Sequence, residues 1–374
     1  VRLVGSEMCI RDRVWGVNCL NDLLAALNHP ELETEKVYQP RIRAEDLLRE
    51  GTGQDTGDFR EVVGQENAKR GAEIAAAGFH NLLMIGPPGV GKSMVAGRIP
   101  GILPPLTLKE SLEVTGIFSV AGLLPPGQAL ITRRPFYAPH HTVTQAALIG
   151  GGSGIPRPGM VSLAHRGVLF LDELPEFRKN VLDGMRQPME ERKVQIARSA
   201  GMVTYPSDFI LVAAMNPCPC GYYPDRNKCR CTQPQIEKYL GKISGPILDR
   251  IDLCVELHPV DILHLQKTKT EKSSEDMKRQ IRHARERQAE RFAGTDCRFN
   301  GDIRSAQVEE YCPLGEEGQK VMEQLYRTLQ LSARVYHRIL KTARTIADLE
   351  DREEITGEHL LEAACYRPSE TYWN

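Results

Sequence analysis

One eight-residue stretch limits what this chain can fold into more than any other feature. Gly86-Pro87-Pro88-Gly89-Val90-Gly91-Lys92-Ser93 follows the apolar run Leu82-Leu83-Met84-Ile85 and precedes a helix-forming segment. Both the spacing and the setting are those of a Walker A loop. Glycines at 86, 89 and 91 let the backbone curl until several N–H groups face one anion, and the following helix adds its positive end. Lys92 then suits the β- and γ-phosphates as a point charge, and the Ser93 hydroxyl suits Mg²⁺. The stretch predicts an α/β fold of the P-loop NTPase class that binds ATP with Mg²⁺, the loop spanning Gly86, Pro87, Pro88, Gly89, Val90, Gly91, Lys92 and Ser93.

Two further apolar runs end in polar residues suited to the same chemistry. Val168-Leu169-Phe170-Leu171 runs into Asp172-Glu173, as expected of a buried parallel strand whose carboxyl end opens on a ligand. Asp172 is then the Mg²⁺ ligand, directly or through water, and Glu173 the base that orients and deprotonates a water. Phe209-Ile210-Leu211-Val212-Ala213-Ala214-Met215 ends on Asn216-Pro217. Asn-Pro commonly opens a turn, but as third in this series Asn216 is placed beside the γ-phosphate.

Composition agrees with a large soluble enzyme. The 374 residues suggest two or three domains. Lys and Arg number 48 against 49 Asp and Glu, so a nucleic-acid surface has to come from local patches. No apolar run approaches the roughly 18 residues of a membrane span and no secretory signal is evident, which points to the cytoplasm and no membrane partner. Residues 1–13 fit neither a helical nor a strand period and read as a non-native leader. Residues 14–58 hold a short amphipathic piece near Leu20 to Leu27 and a polar linker. Residues 59–262 form the ATPase core, with an insert at 104–159, a hairpin at 190–209 and a Cys-rich loop at 217–232. Residues 263–374 are helical and charged, the pattern of a lid domain.

The order of these motifs resembles a known family. Arg134-Pro135-Phe136-Tyr137-Ala138-Pro139-His140-His141-Thr142, Leu163-Ala164-His165-Arg166-Gly167 before the Asp172 strand, Asn216-Pro217-Cys218-Pro219-Cys220-Gly221 and Leu248-Asp249-Arg250-Ile251-Asp252 are similar to the magnesium-chelatase-like AAA+ ATPases of the YifB/ComM type. The likeness runs from about Phe59 to Arg367. It implies a three-layer αβα core with a parallel sheet, inserted hairpins and a C-terminal helical lid. It also implies a self-assembled ring, usually a hexamer, with ATP at each subunit boundary. By the same resemblance Arg250 is the arginine finger and Arg334 the lid arginine called sensor 2, with Ser332 as its helix cap and Arg338 one turn later as the competing candidate. Family members carry a Lon-like amino-terminal domain, of which residues 14–58 would be the remnant.

Two features bear on a metal and on a substrate. Cys218, Cys220, Cys229 and Cys231 form two C-x-C pairs, which can close a structural Zn²⁺ site in a reducing compartment or remain buried, inert thiols. Lys193 to Arg198, a turn at Ser199 to Gly201, and Met202 to Tyr205 read as a β-hairpin. In the family's ring such an insertion faces the pore, where Arg192, Lys193 and Arg198 would touch DNA phosphates; the alternative is a solvated hairpin. His140, His141 and His165 read as structural or insert contacts. Two function classes follow: a DNA-translocating helicase or branch-migration motor of recombination or natural transformation, or a chelatase-like ATPase that remodels a protein partner without DNA.

Overall fold

The computed structural model describes residues 14–15, 37–38, 47–48, 57–125, 128–152, 156–198, 201–260, 272–368 and 372. The leader at 1–13 and the Leu20–Leu27 stretch lie outside them.

Strands β1 (Val14–Trp15) and β2 (Val37–Tyr38) pair antiparallel. They belong to the smaller of two compact units, Val1–Gln54 with Pro105–Arg133. Within that unit helix α3 (Leu108–Ala121) begins on a reciprocal cap: the Thr107 hydroxyl accepts from Glu110 N–H, and the Glu110 carboxylate accepts from Thr107 N–H. Ser111 and Thr115 on its buried side bond the Ile131 backbone at 2.7 and 2.8 Å.

The larger unit, Asp55–Pro104 with Arg134–Asn374, is built on a five-stranded parallel sheet. Its strands are β3 (Leu82–Ile85), β4 (Phe136–Tyr137), β7 (Val168–Leu171), β10 (Ile210–Met215) and β11 (Leu253–Glu256), in the spatial order β11-β3-β10-β7-β4. The central strands are buried at every position, as parallel strands covered on both faces must be. Alternate residues serve opposite layers. Leu82, Met84, Val212, Ala214, Val168 and Phe170 join one cluster; Leu83, Ile85, Leu211, Ala213, Leu169 and Leu171 join the other.

Helices α1 (Glu66–Gly78), α2 (Lys92–Ile102), α5 (Ser274–Arg291), α7 (Ala333–Leu349) and α8 (Gly357–Cys365) supply the first layer's partners, and α6 (Glu316–Thr328) packs on α8. Ser332 does cap α7, its hydroxyl accepting from Val335 N–H. That helix buries Ile339, Leu340, Ala343, Ile346 and Ala347, a 3.6-residue stripe. The opposite layer holds helix α4 (Gln233–Leu240) and two hairpins, β5 (Gly150–Gly151) with β6 (Arg157–Pro158) and β8 (Lys193–Arg198) with β9 (Gly201–Pro206). The expected hairpin is therefore present, and it packs on the smaller one: Tyr205 donates its hydroxyl to Pro156 O at 2.7 Å. Among the described residues no helix is long and apolar enough to cross a membrane.

A buried ionic knot ties α5 to α7. Asp348 accepts from Arg291 at 2.5 and 2.8 Å, from Asn300 at 2.8 Å and lies 3.1 Å from Arg344. Removing the carboxylate leaves two guanidinium groups facing each other with little water. Asp348→Ala is expected to cost about 3–5 kcal/mol, read as a lowered urea midpoint with an unchanged slope.

Candidate functional site

The parallel register delivers three polar chain segments to one end of the sheet. Ile85 pairs with Met215 and Leu171 with Ala213, so the residues that follow each strand emerge together. Gly86 N–H donates to Met215 O at 3.2 Å, and Leu257 N–H to Ile85 O at 2.8 Å, which pins the first turn of the loop. A Cβ at Gly86 would stand 2.6 Å from Leu257 O, so only glycine fits there. Gly89 and Gly91 have φ of +80° and +96°, the left-handed region the loop's curl requires. Gln65, which drew no notice in the sequence, steadies the loop from outside: its Nε2 donates to Val90 O at 3.3 Å and His258 O at 2.7 Å.

The side chains meet as a phosphate and metal site requires. Lys92 is buried, its Nζ donating to Gly86 O at 2.6 Å, Pro87 O at 2.9 Å and Asn216 Oδ1 at 3.1 Å. Burial lowers its pKa, against the opposing pull of Asp172 and Glu173. Ser93 Oγ lies 2.8 Å from Asp172 Oδ2. Adjacent oxygen ligands of an octahedral cation at about 2.1 Å stand about 3 Å apart, so this pair fits Mg²⁺. Asp172 Oδ1 also accepts from Glu173 N–H at 2.9 Å.

Glu173 has φ of 52°, an uncommon conformation for a residue with a side chain. His141 Nδ1 sits 3.3 Å from its Oε2. The His141 ring lies 4.0 Å from that of His140 and edge-on to Phe177 at 6.5 Å. The sequence suggested only an insert contact for His141; the structure sets it against the carboxylate. No local spacing pattern signals this, because strand pairing of β4 with β7 brings the two together.

Arg250 occupies the other end of the sheet. Asn81, just before β3, donates from Nδ2 to Arg250 O at 2.8 Å, and its carbonyl accepts from Asp252 and Leu253. The four residues of β3 thus stand between Arg250 and its own Walker loop, more than ~10 Å at 3.3 Å per residue. The guanidinium pairs with Glu190 and Pro246 O. Arg334 pairs with Asp249, beside Arg250, and is 74 % exposed, whereas Arg338 is buried and donates to Asp249 O at 3.2 Å. Of the two lid candidates, Arg334 is thus the exposed one and Arg338 the buried one.

The four cysteines converge. Their sulfurs all lie within 4.8 Å of one another, with Cys218 3.3 Å from Cys220 and 3.8 Å from Cys229, and Cys220 3.6 Å from Cys229. Tetrahedral zinc at about 2.3 Å from each thiolate sets its ligands about 3.8 Å apart, close to these values. Burial opposes ionisation of Cys220, but the Tyr222 and Arg230 backbone N–H groups bring it down to about 6, while burial pushes Cys231 up to about 12.

The hairpin cations part company. Lys193 is exposed, with Glu191 at 4.0 Å. Arg198 closes the ladder opposite Gly201, and its side chain lies outside the described residues. Arg192, grouped with them from the sequence, is instead an anchor. It donates to Asp208 at 2.9 Å, pairs with Asp302 and covers the Phe79 ring at 5.5 Å. Burial alone would lower its pKa, but Asp208 and Asp302 outweigh it and the net shift is upward.

Comparison with known proteins agrees with this geometry. The family described as magnesium chelatase, subunit ChlI, matches residues 58–265, and its C-terminal family matches 271–367. YifB of Salmonella typhimurium is 46% identical over 314 residues, 83% of this chain and 60% of its own length. The competence protein ComM of Haemophilus influenzae is 43% identical over 357 residues, 93% of this chain and 66% of its own. A magnesium-chelatase 67 kDa subunit of Chlorobaculum parvum is 24% identical over 70% of this chain. The chain thus spans about three-fifths to two-thirds of the first two relatives. With two family matches running along most of its length, the chain belongs to the magnesium chelatase subunit ChlI family of AAA+ proteins.

Proposed function

We propose that this chain is a Mg²⁺-dependent ATPase that works in a ring, a hexamer by family likeness, as a cytoplasmic DNA motor of recombination or natural transformation. The observation that carries the reading is the meeting of Lys92, Ser93, Asp172, Glu173 and Asn216 at the carboxyl ends of three neighbouring strands. Lys92 and the loop N–H groups hold the β- and γ-phosphates; Ser93 and Asp172 hold Mg²⁺, which offsets charge on the phosphates. Glu173 takes the proton of the attacking water, Asn216 helps place that water, and His141 orients the Glu173 carboxylate.

Arg250 and Arg334 serve a neighbour's site. Arg250 cannot reach its own loop across the length of β3, and Arg334 shares its edge. An arginine supplied across such a boundary is worth about 10³–10⁵ in rate. The four thiols close a structural Zn²⁺ site. DNA contact rests on the hairpin, on the exposed Lys193 and on Arg198, with Arg192 holding the hairpin's base.

ATP hydrolysis by the purified chain, with and without single- and double-stranded DNA, is the deciding assay. Stimulation that fades with salt is expected; hydrolysis indifferent to DNA transfers the function to remodelling of a protein partner. Glu173→Gln should abolish turnover while nucleotide still binds. His141→Ala should lower kcat about tenfold with little change in KM, since only orientation of the base is lost.

The hairpin residues give a contrast. Lys193→Ala with Arg198→Ala should weaken DNA stimulation and reduce the salt slope by about one per lost phosphate contact, leaving the melting temperature unchanged. Arg192→Ala should instead lower the melting temperature, because the buried Asp208 keeps only Arg166 and Asp302 loses its guanidinium partner.

A further inference from the structure

The Cys-rich loop touches the nucleotide site at two points. Cys218 stands two residues beyond Asn216, at the end of β10. From there the chain turns tightly: Gly221 N–H donates to Cys218 O at 3.0 Å, and Tyr223 N–H to Cys218 Sγ at 3.4 Å. The turn lays Gly221, with φ of +86°, directly on the Walker loop. A Cβ there would come within 2.6 Å of Pro88 Cδ. The chain after Cys231 enters α4, whose Tyr239 hydroxyl is hydrogen-bonded by the Asn216 backbone. Asn216 in turn accepts from Lys92.

The loop has no regular secondary structure to hold it. Between Cys218 and Thr232 the chain has no helix or strand, and most of its residues from Tyr222 to Arg230 are exposed or partly so. Cys218 and Cys229 are buried in the layer beneath, and Cys220, Cys231 and Tyr223, whose ring meets that of Tyr372 at 6.2 Å, pack partly against it. Four of the five residues that make this apolar contact are the cysteines themselves, so a tetrahedral metal that joins them would fix the shape of the whole segment.

We propose that zinc held by Cys218, Cys220, Cys229 and Cys231 is a clamp on the ATP site: it presses Gly221 against Pro88 and fixes Asn216 beside Lys92, so zinc occupancy sets nucleotide affinity and turnover. This rests on the nucleotide reading of the Walker loop but not on DNA. Zinc here has four protein ligands and no open position, so its action is mechanical. Loss of the metal frees the turn at Gly221, the Pro87-Pro88 segment loses its outer wall, and Asn216 loses one of its two supports. Thiol-oxidising or chelating conditions then switch the ATPase down without touching a phosphate-binding residue.

The test uses the whole purified chain. Zinc is measured by elemental analysis and by its release into a colorimetric chelator on thiol modification, and nucleotide affinity by titration with a fluorescent ATP analogue. One zinc per chain is expected, and stripping it should weaken affinity or turnover about tenfold or more, with recovery on adding zinc but not further magnesium. Circular dichroism before and after stripping checks that the sheet and helices persist. Gly221→Ala supplies an independent arm, because it leaves all four thiols in place: it should keep its zinc yet reproduce the loss. Stoichiometric zinc whose removal, and whose Gly221→Ala variant, leave affinity and turnover unchanged would overturn the clamp while the ATPase reading stands. Absence of bound zinc from protein made in zinc-replete medium overturns it as well. A zinc-loaded chain that binds no nucleotide at all sinks both readings together.

Discussion

The position of β10 between β3 and β7 is the constraint from which the site follows. Each of these strands is buried on both faces, so none can slip by one residue without exchanging the side chains it gives to the two layers. With register fixed by burial, Gly86, Asp172 and Asn216 have no freedom to emerge elsewhere than beside one another. The polar cluster of Lys92, Ser93, Asp172 and Asn216 is thus assembled by apolar packing, and its own hydrogen bonds only refine it. That order of causes explains why a lysine can be buried here at all. Three acceptors are in place before the charge arrives, which offsets part of the desolvation that lowers its pKa.

The same strands separate Arg250 from the phosphate loop. Asn81 joins the amino ends of β3, β10 and β11 through four hydrogen bonds, from its side chain and its carbonyl, and in doing so seats the Arg250 loop. Lys92, Ser93, Asp172 and Asn216 gather at the carboxyl ends of the strands, and Arg250 with Asp249 and Asp252 at the amino ends. Arg334, exposed on α7, pairs with Asp249 and so sits at the Arg250 edge.

How much of this the sequence revealed depended on whether the signal was local. The Walker loop, the acidic strand end and the apolar strand before Asn216 are contiguous motifs, and their positions in the fold follow from strand burial. The hairpin at 193–206 was equally legible, since its alternation is a local property. Relations between distant segments were not. Gln65 clamping Val90, His141 meeting Glu173 and Asn81 splicing three strands each join residues with no shared motif. Arg192 illustrates the opposite error. Beside Lys193 in sequence it looks like one of a patch, yet the left-handed φ of 55° at that residue turns it away from the ladder and toward Asp208 and Asp302.

The hairpin's base and the acidic strand share a fastening that bears on how the parts act together. Asp208, buried in the link between β9 and β10, accepts from Arg192 at the foot of the hairpin and from Arg166 just before β7, while its own N–H donates to His165 at 3.0 Å. One carboxylate therefore connects the hairpin that carries the exposed Lys193 to the strand that leads into Asp172 and Glu173. Two guanidinium groups on a single buried acid stay satisfied only if both strands keep their places. Movement of the hairpin's base must either break a charge-assisted bond in a dry setting or carry β7 with it. Because β7 is buried on both faces and laddered to β10 and β4, the bond yields before the strand does, so the packing that positions Asp172 and Glu173 also holds the foot of the hairpin in place.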